Sequence, residues 1–261
     1  MKYISLVIIM ALHSGSAAAQ KPGVRLTGLD LKGKVKEVIQ YEYEKDNKNS
    51  KQDSSIVMMR FDENGNELDE TYHDRNGLIR KTFFKYSKGK MVGSEYRDGK
   101  LITTAIHLYD GDGNETEMDM YSNEDLQGGI SYKKAKMITK YDKKGNRIEV
   151  ESYFDEKLNL KTINIYNAKN QKIEADNTEY MPSHIKKEKE IFEYDNAGYN
   201  VKTEVYDLDG ILVEEQIKSY GNIDQNGNWR SQTYIFKGYN NKTIYYLNKS
   251  IIKREITYFN K

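Results

Sequence analysis

The sequence predicts an all-β fold: an elongated, twisted antiparallel β-hairpin repeat array, an open sheet or solenoid-like, with no long helix after the first nineteen residues. Three observations predict it. A short turn unit recurs along the chain, residues between turns alternate in polarity with a period of two, and no 3.6-residue period persists beyond two turns.

Taken in chain order, residues 1–19 read as a secretory signal peptide. Lys2 is the one early charge, Tyr3 to Leu12 form an apolar run, and Ala17 and Ala19 fit a small-x-small cleavage site after Ala19. The apolar run is shorter than the roughly 20 residues a membrane-spanning helix needs. Residues 20–261 are then expected to be a single β-repeat domain, exported to the periplasm, the cell surface or the medium. The chain has no cysteine. A cysteine-linked lipid anchor, disulfides and thiolate metal sites are thereby excluded. The polar run Lys45 to Ser55 reads as a long loop.

The repeat unit follows. It is an aromatic residue, Asp, two or so polar residues, Gly and often Asn. Clear copies are Phe61-Asp62-Glu63-Asn64-Gly65-Asn66, Tyr109-Asp110-Gly111-Asp112-Gly113-Asn114 and Tyr141-Asp142-Lys143-Lys144-Gly145-Asn146, with near matches at Tyr194-Asp195 to Gly198 and Tyr206-Asp207 to Gly210. The Asp side chain accepts hydrogen bonds from backbone N–H groups further on, and Gly takes the left-handed position that closes the turn. Asp62, Gly65, Asp110, Gly113, Asp142, Gly145, Asp195, Gly198, Asp207 and Gly210 are therefore read as turn residues. Aromatics at 109, 121, 132, 141, 153 and 166 mark one strand and one turn per step. Between turns, Val201, Thr203 and Val205 share one face and Lys202 and Glu204 the other. Pro182 lies in a longer interval between clear copies, so residues 174–190 read as a loop insertion. Trp229, the one tryptophan, reads as a packing anchor that caps the last repeats.

These units resemble the YD-repeat (Rhs-like) proteins, in particular short exported bacterial members of unknown function. The resemblance extends to the opening Leu31 to Val38 and to the ending, Gly227-Asn228-Trp229 and Arg254 to Tyr258. It implies hairpins laid side by side in a curling sheet. The chain after Ala19 holds about sixteen strands at this spacing, and these are expected to be too few for a closed shell.

Composition narrows the function. Lys and Arg number 41 against 40 Asp and Glu, and loss of Lys2 leaves forty of each. A balanced charge argues against a nucleic-acid surface or an anionic-membrane surface. Asp110, Asp112 and Asn114 have the spacing of the first ligands of a calcium loop, but Glu115 and Tyr121 stand where Gly and Glu are required. His73, His107 and His184 have no paired spacing. No metal, cofactor or catalytic residue is expected.

The 22 tyrosines, against 7 phenylalanines and 1 tryptophan, supply either the core or an aromatic platform. A row of Tyr109, Tyr121, Tyr132, Tyr141, Tyr153 and Tyr166 is the candidate platform. The expected function is a non-catalytic exported binding or scaffolding protein that presents this row to an envelope glycan or protein partner. The alternatives are a carbohydrate-active enzyme with a carboxylate site in the loops around Pro182, and an immunity-like partner of a secreted toxin.

Overall fold

The computed structural model describes residues 31–45, 52–74, 77, 79–122, 133–240 and 242–259. The leader peptide, Tyr132 and the interior of the loop expected from Lys45 to Ser55 lie outside these residues, although Lys45 and Gln52 to Ser55 themselves belong to paired strands. The strands are β1 (Val35–Lys45), β2 (Gln52–Phe61), β3 (Glu67–His73), β4 (Ile79–Ser87), β5 (Lys90–Arg97), β6 (Lys100–Tyr109), β7 (Glu115–Ser122) and β8 (Lys133–Tyr141). They continue as β9 (Arg147–Phe154), β10 (Lys157–Tyr166), β11 (Lys172–Tyr180), β12 (Ile185–Tyr194), β13 (Asn200–Asp207), β14 (Leu212–Gly221), β15 (Ser231–Asn240) and β16 (Thr243–Tyr258).

Each strand pairs antiparallel with its neighbours in sequence, and β1 pairs with β16, so the sheet closes on itself as a sixteen-stranded barrel. This corrects the expectation of an open or solenoid-like sheet; the all-β antiparallel character and the absence of helix among the described residues stand. Closure costs little new geometry. Sixteen twisted strands bring the first edge round to the last, and pairing those edges satisfies two rows of backbone groups that an open sheet would leave exposed. Residues 174–190 are not an insertion either. They lie in β11 and β12, joined by a tight turn in which the Met181 N–H donates to the His184 carbonyl.

The turn unit dominates one rim. In the turn after β8, Asp142 Oδ1 accepts the backbone N–H groups of Lys144 and Asn146, and Oδ2 accepts Asn146 Nδ2. Gly145 sits at φ 81°, a conformation that costs residues with a Cβ about 1–2 kcal/mol. The same pattern recurs from Asp62, Asp110, Asn167, Asp195 and Asp224 on this rim. We call it the turn rim. The Asp207 turn lies on the far rim, together with tight turns at Asp98–Gly99 and Asp155–Glu156.

The barrel is locked at the turn rim where its ends meet. Leu31, Val35, Val38, Met59, Phe61 and Ile256 form a buried apolar cluster across β1, β2 and β16. Asn228 holds the incoming chain: its Oδ1 accepts the Lys32 N–H, and its Nδ2 donates to the Lys32 carbonyl and to Tyr258 Oη. Tyr258 in turn donates to Asp224. Trp229 is buried beneath Arg254, whose guanidinium lies 3.6 Å from the ring centroid, and beside Tyr220.

Candidate functional site

The two faces of the sheet differ in kind. In β10, Thr162 and Asn164 are buried while Ile163 and Ile165, which alternate with them, are exposed. The buried positions line up through the ladder. Thr139 faces Val150, Val150 faces Thr162, and Asn164 faces Ala175. Side chains that point to the axis of a barrel crowd together, so this is the lumen wall. For a circular section, a strand spacing of about 4.8 Å and a tilt of about 40° set the backbone at a radius of about 16 Å. Side chains from opposite walls do not fill a barrel of that width.

The outer wall is a lattice of ion pairs. Lys140 and Lys161 both hold Glu149, and Lys161 also holds Glu151 at 2.9 Å. Arg60 pairs with Asp69, Lys136 with Glu117, Lys189 with Glu174, Lys202 with Glu193 and Glu204, and Lys237 with Glu215. These pairs, all cross-strand except Lys202–Glu204 within β13, sit one step out of phase with the buried residues, which puts them on the outside.

The lumen wall is polar in a different way. Thr162 donates to Asn177, and Asn177 Nδ2 donates to Glu190. His107 faces Glu115 at 3.2 Å. Burial and the neighbouring Glu188 carboxylate raise the Glu214 pKa, with Glu190 adding to the push and Lys186 opposing it. Lys172 lies with its ammonium 4.1 Å from the Phe192 ring centroid. Burial pushes its pKa down to about 8; Glu190 opposes the shift, and Arg147 and Lys218 add to it. Among the described residues, no group of three or more His, Asp or Glu side chains is disposed to hold a metal ion.

One register rule explains how several of these side chains reach the lumen. Ladders shift by one residue where a strand enters or leaves a turn, so that Phe61 faces Glu67, Tyr109 faces Glu115, Tyr141 faces Arg147, Tyr166 faces Lys172 and Tyr194 faces Asn200. The residue that follows each turn is thereby turned toward the lumen with the aromatic that precedes it. Sequence reasoning missed Glu67, Glu115, Arg147, Lys172 and Asn200. The signal was present: each stands six positions after the aromatic that opens its turn.

The candidate tyrosine row is not assembled. Tyr109, Tyr141 and Tyr166 end their strands at the turn rim. Tyr153 is on the outer wall, where it donates to Glu151, and Tyr121 faces Lys134 in the outward-pointing set of β7. The rim tyrosines also spend their hydroxyls on the frame. Tyr141 donates to the Glu115 carbonyl and Tyr166 to that of Arg147; Tyr194 and Tyr220, outside the candidate row, do the same to Lys172 and Asn200. Each ties one hairpin to its neighbour across a gap with no connecting turn. Pro182 lies in the far-rim turn after β11.

Fold and site together define a closed sixteen-stranded antiparallel barrel with a polar lumen. No family model and no curated protein matches the chain. Among solved structures, it is similar to a porin-like protein of Bacteroides uniformis, with a TM-score of 0.62 and 9% identity over 85% of this chain and 96% of that one. A porin-like protein of Bacteroides vulgatus gives a TM-score of 0.56 and 10% identity over 86% and 98%. This likeness is one of fold. It overturns the resemblance to YD-repeat proteins: the repeated aromatic-Asp-x-x-Gly-Asn unit is the hairpin turn of a closed barrel.

Proposed function

We propose that the protein is a non-catalytic, exported binding barrel that takes a polar solute into its lumen while its outer wall stays in water. The carrying observation is the contrast between the walls. Lysines and carboxylates in the middle of the outer faces of β8 to β15 would each meet hydrocarbon if the barrel crossed a bilayer. A lysine or arginine at the midplane of a lipid-facing strand costs roughly 2–4 kcal/mol. The polar lumen side chains have no such penalty and offer hydrogen bonds to a solute.

The similarity to porin-like folds supports a role in holding or passing solutes. A glycan fragment or a small polar molecule of the envelope suits a lumen better than a protein partner does. The leader read in residues 1–19 supports export to the periplasm, the cell surface or the medium.

The exported protein, purified without detergent, should remain monodisperse and stay in the aqueous fraction when floated with phosphatidylethanolamine–phosphatidylglycerol vesicles. Co-flotation together with ion conductance across a planar bilayer would replace the binding barrel with a membrane pore. A hydrolytic reading has one observation in its favour, the raised carboxyl of Glu214 beside Glu188, a pattern suited to a general acid. Release of reducing sugar from envelope glycans by the native protein, abolished in Glu214→Gln, would establish it.

A further inference from the structure

We propose that Arg147, Lys172 and Lys218 form an anion site on the lumen wall, which takes the carboxylate or phosphate group of a polar solute. This names the ligand chemistry of the lumen and rests on the lumen being a binding space.

The three cations come from β9, β11 and β14. Arg147 and Lys172 occupy the same place in successive repeats, the first residue after the turn, and the register shift there aims both inward with Tyr141 and Tyr166. Lys218 shares the inward face of β14 with Gln216 and Tyr220 and donates to Asn200 Oδ1 at 3.1 Å.

The surroundings of Arg147 and Lys172 differ from those of the outer lysines. Lys136, Lys140, Lys161, Lys189, Lys202 and Lys237 each hold a carboxylate within 4.0 Å. Among the described residues, neither Arg147 nor Lys172 has one within that distance. Glu190 is the acidic group that acts on Lys172 from the next strand, and it already accepts a hydrogen bond from Asn177. The half-buried Lys172 ammonium rests against the face of Phe192. Withdrawing cations from water without a counter-charge is unfavourable. The same low-dielectric setting strengthens their attraction for an incoming anion. Phe192 offers an apolar surface for the body of the solute beside its charged group.

The absence of cysteine makes the lumen directly testable. A single thiol is introduced by Gln216→Cys on the lumen wall, with Thr178→Cys on the outer wall as the reference. Each is treated with a neutral, a sulfonate-bearing and a trimethylammonium-bearing methanethiosulfonate. Reaction of the lumen thiol with the neutral reagent establishes solute access; no reaction in folded protein refutes the lumen as a binding space. With access established, the anion site predicts that the sulfonate outpaces the cation by about tenfold relative to the outer-wall thiol, within the range of local electrostatic enrichment. Arg147→Gln with Lys172→Gln should bring the ratio to within about twofold. Equal rates, or a preference that survives the double substitution in a protein of unchanged circular dichroism, would overturn the site. Protection by glucuronate identifies a carboxylate ligand and protection by glucose 6-phosphate a phosphate ligand. Equal protection by glucose speaks against the site.

Discussion

At pH 7 the Lys172 ammonium is charged in a half-buried position beside two other cations. Its pKa, about 8 against 10.5 for a free lysine, is depressed by burial, opposed by Glu190, and depressed further by Arg147 and Lys218. Because the folded value is the lower one, the charged form is carried at a cost below pH 8. That cost is relieved as pH rises from about 8 toward 10.5, while the unfolded chain still binds the proton. Lys172→Met is therefore expected to raise stability at pH 7 by roughly 1–3 kcal/mol, with the gain shrinking above pH 8. Urea denaturation at pH 7 and pH 10 checks both the sign and the trend. Glu156 presents a simpler case. It holds a φ of 66° in a two-residue turn, a place for which glycine is suited. Glu156→Gly should stabilise the protein by about 0.5–1 kcal/mol, read in the same denaturation experiment.

The working element is the hairpin with its Asp-centred turn, and the tyrosine at the end of the strand joins one hairpin to the next. Tyr166→Phe removes the hydroxyl that meets the Arg147 carbonyl and should cost about 0.5–1 kcal/mol, since the ring remains and the carbonyl keeps the Asn164 amide as a donor. Hydrogen exchange should then quicken at the turn-rim ends of β9 and β10 and leave the far rim unchanged. At this scale much was legible in the sequence. Asp142, Gly145 and Asn146 announce their turn because all the hydrogen bonds that build it lie within five residues. The role of the tyrosines was not legible. Whether Tyr141 faces a lumen and Tyr153 the outside depends on register shifts at each turn, which the alternation of residues alone leaves ambiguous.

For the whole molecule, closure depends on a seam between residues almost as far apart in sequence as the chain allows. Asp224 and Asn228 are its hinge. Burial raises the Asp224 pKa, but hydrogen bonds from Tyr258 and from the backbone of Asn228 and Asn226, with Arg230 nearby, outweigh it and hold the carboxyl below its usual value of 3.8. A carboxyl depressed in the folded state contributes stability above its unfolded pKa and loses it as pH falls through the folded one. Asp224→Asn should flatten the acid limb of the stability profile below about pH 4 and lower stability at pH 7 by about 1–3 kcal/mol. Asn228→Ala, which removes three contacts across the seam, should speed exchange along β1 and β16 before any other pair.

The repeat by itself determined the local structure: antiparallel strands, most of them eight to ten residues long, their turns, and the absence of helix among the described residues. Turn chemistry acts over a few residues, so it can be read from a few residues. Only the tertiary structure decided that sixteen strands meet end to end, which face became the lumen, and that Arg147, Lys172 and Lys218 share one wall. On strands where Thr and Asn alternate with Lys and Glu, hydrophobicity does not mark the inside. The pairing of β1 with β16, and the register shift after each turn, are properties of the closed sheet and of no single segment.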